Sequence, residues 1–229
     1  MEEKKKDILE KGAILQRDGQ TYAIAAHIPG GIITPGQLRT IADAAERYGV
    51  SLLKMDSGQR MIIVGIKEED LDNIWKDLGI LPGAAIGLCV HFVKFCPGSG
   101  FCRFGLQDSI ILGKELDKMY HGFPMPSKFK IGISGCSFSC AESWVKDLGF
   151  IGTKIGWKVM AGGTAGIKPR IADMLTQVNS DGEALRLTEK ILKYCNANLQ
   201  KKKRLAVHIE EIGIDEFKKA LEIQEQTRK

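Results

Sequence analysis

Two pairs of cysteines, in "FCPGSGFCR" and "GISGCSFSCAES", restrict this chain more than any other feature of its sequence. Cys96 and Cys102 stand in a C-x5-C spacing, and Cys136 and Cys140 in a C-x3-C spacing, with a long segment between the pairs. A fold that uses all four must carry two separate loops to one place. Glycines and serines flank both pairs (Gly98, Ser99, Gly100; Ser134, Gly135, Ser137, Ser139), and such small residues let the backbone wrap a compact group and direct N–H donors at its sulfurs. Six cysteines are few for a disulfide-stapled secreted protein of 229 residues, and in a reducing compartment clustered cysteines ligate metal more often than they pair. Cys89 and Cys195 stand apart and read as buried free thiols. Structural zinc favours tighter knuckles on small autonomous units. A 4Fe-4S cube takes four thiolates arriving from different directions, which two loops can supply, and it implies electron transfer. Zinc stays open as the alternative.

The rest of the composition sets bounds. Hydrophobic residues make up 44% of a 25.2 kDa chain, enough to fill a core. The first residues, MEEKKKDILEKG, are charged, and no apolar run approaches the roughly 20 residues of a membrane span. The expectation is a soluble, cytoplasmic protein with no membrane partner. Thirty-three Lys and Arg against 28 Asp and Glu leave a net charge of +5, which favours anionic substrates or acidic partners. The basic run Lys201 to Arg204 reads as a solvated surface segment, with no nucleic-acid partner, because it is short and has no aromatic residues interleaved.

Along the chain, "TYAIAAHI" predicts a strand and "QLRTIADAAERYG" a helix, with Thr34 and Gln37 forming a capping box around Pro35. "SLLKM" and "RMIIVGI" flank the hairpin signal "DSGQ", and "KEEDLDNIWKDLG" has helical period. This order, β-α-β-β-α, suggests half of a ferredoxin-like split sandwich. The punctuating "ILPGAAIG" predicts a domain boundary, giving domains at 1–82 and 83–229. Beyond it come strands over "GLCVHFVKF" and "KFKIGIS" around a helix in "GLQDSIILGKELDKMYHG", and a glycine-punctuated β region "GFIGTKIGWKVMAGG". A helix from about Pro169 to Val178, another over "GEALRLTEKILKYCNANL", and a charged helix from Ile214 onward complete the expectation. The glycines of "GGTAGIK" lack the spacing of a phosphate-binding loop and read as a turn.

Spacing and local character together resemble the signature of the sirohaem-dependent nitrite and sulfite reductases. "CPGSGFC" and "GCSFSC" match its cluster motifs, "TPGQLRTIADAAERYG" and "MDSGQRMIIVGI" are similar to its ferredoxin-like half domain, and "GGTAGIKPRIADML" to the glycine-rich stretch after its cluster. The resemblance covers residues from about 10 to 200. It implies an α+β fold, a ferredoxin-like half domain followed by an α/β domain that binds sirohaem and a 4Fe-4S cluster. By the same resemblance Cys96, Cys102 and Cys136 bind only the cluster, while Cys140 also bridges it to the sirohaem iron. The implied activity is six-electron reduction of sulfite to sulfide; nitrite reduction to ammonia, or a noncatalytic sirohaem and iron–sulfur redox protein, stay open.

A small oxyanion that loses its oxygens as water needs positive charge and protons around it. "PSKFKIG" resembles the family's Lys-x-Lys strand, which implies that Lys128 and Lys130 face the anion; two solvent-facing lysines on an edge strand are the alternative. Arg60 is the other catalytic candidate. Larger family members carry an arginine where this chain has Gly58, so anion capture is either displaced to Arg60 or missing. Arg103, Lys168 and Arg170 can pair with sirohaem carboxylates, and His91 stands on the strand leading to Cys96. Full-length members contain two copies of the half-domain and cluster-domain unit, whereas this chain has one. The resemblance therefore implies a homodimer in which Lys128 and Lys130 of one subunit approach the sirohaem of its partner. No flavin or nicotinamide fingerprint and no second cluster motif appear, so electrons are expected from a separate donor, a ferredoxin or flavoprotein.

Overall fold

The computed structural model describes residues 5–223 and divides into two compact units, Met1–Gly87 and Leu88–Lys229. The first is an antiparallel sheet of four strands in the order β1-β2-β4-β3: β1 (Ala13–Leu15), β2 (Tyr22–Ala26), β3 (Leu52–Met55) and β4 (Met61–Ile66). Helices α1 (Pro35–Arg47) and α2 (Leu71–Leu78) pack on it. The start of α1 follows from local chemistry, since Thr34 and Gln37 bond each other's backbone N–H and Pro35 occupies the first turn. Its apolar stripe, Ile41 and Ala44, meets Leu71, Ile74 and Leu78 of α2 and Ile24, Ile63 and Ile66 of the sheet. Each of these large aliphatic side chains contributes about 1.5–3 kcal/mol by leaving water. The three-residue β1, too short to leave a periodic signal, was absent from the sequence expectation. At the other sheet edge all four residues of β3 are exposed, including Leu52, Leu53 and Met55.

The second unit is a five-stranded sheet in sequential order: β5 (Val90–Phe95), β6 (Phe129–Ser134), β7 (Leu148–Thr153), β8 (Gly156–Ala161) and β9 (Asp173–Val178). The first three strands are parallel and the last two pairings antiparallel. After β5 come the single turn α3 (Gly98–Phe101) and α4 (Ser109–Tyr120), which crosses over to β6. Asp108 caps α4 by accepting from the N–H groups of Ile110 and Ile111. Three more helices follow the sheet, α5 (Asp181–Asn198), α6 (Leu205–Ile212) and α7 (Ile214–Ala220). The core is built from Phe95, Leu112, Leu116, Phe129, Ile133, Phe150, Trp157, Ile191 and Phe217. Helix α4 lies close on β5: a Cβ on Gly113 would stand 2.3 Å from the Phe95 ring. Because β5 and β6 are parallel neighbours, the loops that leave them begin at the same end of the sheet.

Two expectations are corrected. Residues Pro169 to Val178 hold a strand, β9, where the sequence predicted a helix. The bulge in the β8–β9 pairing leaves Leu175 and Val178 as the buried residues of the strand, and their separation of three imitates a helical period. Lys201 to Arg204 is no fully solvated run. Arg204 forks onto the buried Asp147, Nε to Oδ1 at 3.1 Å and Nη2 to Oδ2 at 2.7 Å, and Lys203 pairs with Glu211. Of the helix expected from Ile214 onward, residues 224–229 lie outside the described ones.

Candidate metal centre

Cys96 follows β5 directly and Cys136 lies two residues past the end of β6, so the parallel register sets the two loops side by side. The Cys96 backbone N–H extends the ladder to the Ile133 carbonyl at 3.2 Å. Its Sγ accepts the Gly135 N–H at 3.1 Å, and Ser109 Oγ lies 3.3 Å from the same sulfur while donating to the Cys96 carbonyl at 2.7 Å. From there the first loop is knitted chiefly by backbone, with Gln107 Nε2 adding a side-chain bond to the Thr153 carbonyl at 2.8 Å. Cys102 N–H donates to the Gly98 carbonyl (2.8 Å), Gly105 N–H to that of Cys102 (2.9 Å), and both Leu106 and Gln107 donate to the Gly135 carbonyl at 2.8 and 3.1 Å. This packing demands glycine at 135: a Cβ there would stand 2.8 Å from the Gln107 carbonyl oxygen and 2.9 Å from Gly98 Cα.

The second loop is shaped by left-handed turns and by charge. Ser139 and Glu142 have φ of 53° and 58°. Ser139 N–H donates to the Cys136 carbonyl at 3.2 Å, and Glu142 N–H to the Ser139 carbonyl at 2.7 Å. Ser134 Oγ accepts the Ala141 N–H at 3.1 Å and lies 2.9 Å from Ser143 Oγ. The Glu142 carboxylate then takes two lysines, Lys94 Nζ at 2.7 Å and Lys146 Nζ at 2.6 Å. Burial alone would push Glu142 up, but the hydrogen bonds from Lys146 and Lys94 outweigh it and hold the carboxyl below its ordinary range.

Between the loops, Phe104 and Phe138 meet edge to face at 5.1 Å, and the Arg103 guanidinium stands over Phe104 at 4.5 Å. Phe101 and Phe138 are 84% and 67% exposed, so the cysteine loops present an apolar surface with a cation on it. The four loop cysteines are free thiols; Cys136 is buried, Cys96 and Cys102 are partly covered, and Cys140 is exposed.

The structure brings the two cysteine loops and Arg103 together, and it places the other sequence candidates elsewhere. Lys168 is exposed on the turn closed by the Thr164–Arg170 bridge. Arg170 is spent on that turn, donating to the Gly162 carbonyl at 2.9 Å and pairing with Asp173 and Glu210 at 2.5 and 3.3 Å. His91 is buried in β5. Lys130 sits in β6 and Lys128 just before it, exposed; β6 is an interior strand flanked by β5 and β7. Lys130 Nζ lies 5.5 Å from the centre of the Phe92 ring, and burial, then the nearby Arg204, pushes its ammonium below the ordinary lysine range. In the first unit Arg60 is buried, donating through Nε (2.9 Å) and Nη2 (2.6 Å) to Asp56 within the β3–β4 hairpin. Sequence reasoning missed Glu142 and Lys146 as supports of the second loop, and nothing in "CAESWVKD" marks them as such.

Residues 87–229 match the family described as nitrite and sulphite reductase 4Fe-4S domain, and residues 14–79 match the nitrite/sulfite reductase ferredoxin-like half domain. The chain belongs to this family. It is 43% identical over 211 residues to the assimilatory-type sulfite reductase of Nitratidesulfovibrio vulgaris, covering 92% of this chain and 97% of that protein. It is 38% identical to a nitrite reductase (NAD(P)H) of Bacillus subtilis, but there the match takes 91% of this chain and only 26% of the relative. Two solved structures share the fold: the Mycobacterium tuberculosis NirA protein (TM-score 0.78, 23% identity, 88% of this chain and 40% of that one) and a dissimilatory sulfite reductase I (TM-score 0.80, 14% identity, 91% and 72%). The family's α+β architecture is thus the one expected, and this is an oxidoreductase fold. Two loops of free thiols, with the Gly135 N–H already on one sulfur and a covered hydroxyl without a partner at Ser139, fit the family's cluster.

Proposed function

We propose that this chain reduces sulfite to sulfide with a 4Fe-4S cluster and sirohaem, drawing electrons from a separate ferredoxin or flavoprotein. The observation that carries this reading is the pair of cysteine loops leaving parallel β5 and β6, in a chain that spans 97% of an assimilatory-type sulfite reductase. Cys96, Cys102, Cys136 and Cys140 would hold the cluster, with Cys140 shared with the sirohaem iron. When bound, the coupled pair supplies single electrons in succession to an anion at the iron.

The protein's own part is placement, charge and protons. Strand ends and the Gly135 contacts fix three of the thiols, while Glu142, gripped by Lys94 and Lys146, sets the loop that carries Cys140. Arg103 over the exposed Phe104–Phe138 pair suits an apolar macrocycle edged with carboxylates. Lys130 is four residues, about 13 Å of strand, from Ser134 at the cysteine end of β6. That distance supports a role in trans, in a homodimer where Lys128 and Lys130 approach the partner's cofactor. The exposed apolar edge strand β3 supports a second copy as well. A lysine whose ammonium is destabilised by burial gives up its proton readily, as the departing oxygens of sulfite require. The free thiols of the two loops support a cytoplasmic setting.

Anaerobic purification and assay with reduced viologen dye test the reading. Expected are a Soret and a red absorption band, iron and acid-labile sulfide, and sulfide formation from sulfite faster than ammonia formation from nitrite. Ammonia as the dominant product would transfer the activity to nitrite, and intact cofactors without turnover would make the chain a redox carrier. A fully active monomer in light scattering would defeat the trans arrangement.

A further inference from the structure

Four serines support the cysteine loops, and three are fully employed. Ser109 Oγ donates to the Cys96 carbonyl at 2.7 Å, and Ser134 and Ser143 share a contact of 2.9 Å, with Ser143 also 2.9 Å from the Phe150 carbonyl. Ser139, the residue before Cys140, differs. Its backbone N–H and carbonyl are both bonded, yet its Oγ is covered and has no partner. A buried hydroxyl without a partner destabilises the fold, because it gives up its bonds to water and gains none. The same residue holds φ of 53°, a left-handed conformation that strains a side chain bearing a Cβ and that glycine adopts freely. Glycine at 139 would remove both penalties, so serine at this position calls for a partner to its hydroxyl.

On the reading of the site given above, we propose that Ser139 Oγ donates a hydrogen bond to a sulfur of the 4Fe-4S cluster held by Cys96, Cys102, Cys136 and Cys140, and that this bond raises the cluster's reduction potential. The reduced cluster carries one more negative charge, so a donor to its sulfur stabilises it more than the oxidised form. The Gly135 N–H on Cys96 Sγ is the same device at the opposite loop, made there by backbone. A side-chain donor can be deleted without touching the chain's course, which makes the effect measurable.

The test compares the full-length, cluster-loaded protein with Ser139→Ala, Ser139→Gly and Ser139→Asn by potentiometric titration of the cluster's EPR and visible signals, with iron and sulfide content determined for each. Ser139→Ala and Ser139→Gly should both be harder to reduce, by about tenfold in the reduction equilibrium, or about 59 mV for one electron. Ser139→Asn, which tolerates the left-handed turn and retains a donor, should stay near the parent. Ser139→Gly should also melt higher than Ser139→Ala. Pulsed EPR of the reduced parent in deuterated buffer should show an exchangeable deuteron coupled to the cluster that both variants lack. Loaded Ala and Gly variants titrating with the parent, or a parent without that coupled deuteron, would overturn the hydrogen bond while leaving the site reading intact. A parent that binds no iron would overturn both.

Discussion

The two cysteine loops are built on opposite strategies. The loop from Cys96 to Gln107 is held by backbone hydrogen bonds and by glycines packed against main chain, so its shape is set by sterics. The loop from Cys136 to Lys146 is held by two left-handed residues, a serine network and one carboxylate between two lysines. Steric closure admits no adjustment, whereas a charged clamp can be weakened by degrees. The first loop therefore suits ligands with a single partner, and the second carries Cys140, which is proposed to have two.

This contrast can be broken in several places. The largest effect belongs to Cys140→Ser, expected to abolish the electronic coupling of cluster and sirohaem and to lower sulfite turnover at least about 100-fold, the scale on which lost ligation and its support act; normal turnover would defeat the bridging role. Gly135→Ala should come next. Its Cβ meets main chain of the other loop, so a loss of about 1–3 kcal/mol in thermal unfolding and poor iron retention are expected. Glu142→Gln should unfold only about 1–2 kcal/mol more easily and keep its iron, while sirohaem content and turnover fall more than stability does. If Glu142→Gln instead lost iron as Gly135→Ala does, the two loops would not differ in the way described. The smallest effect is expected of Arg103→Ala, about 0.5–1 kcal/mol from an exposed cation over an aromatic ring, read as weaker sirohaem retention at unchanged iron content.

The cysteine spacing and the strands leading to it were legible because their signal is local. "KFKIGIS" alternates and the Thr34–Gln37 box is a short-range pattern, and both appear in the fold. What was illegible depended on partners distant in sequence. Arg204 finds Asp147 across 57 residues, and Lys94 reaches Glu142 across 48. No window of sequence announces either pair. Strand β9 failed for a different reason: a bulge gave a strand the burial spacing of a helix. The lysines at 128 and 130 were legible as a pair, but their place at the far end of β6 from the cysteines came only with the strand's direction.

Cys140 is the one exposed thiol of the four. The four cysteines are accordingly unequal toward alkylating reagents, which meet Cys140 first and Cys136 last. Under the bridging role proposed above, the cysteine nearest solvent is also the one asked to serve two iron partners.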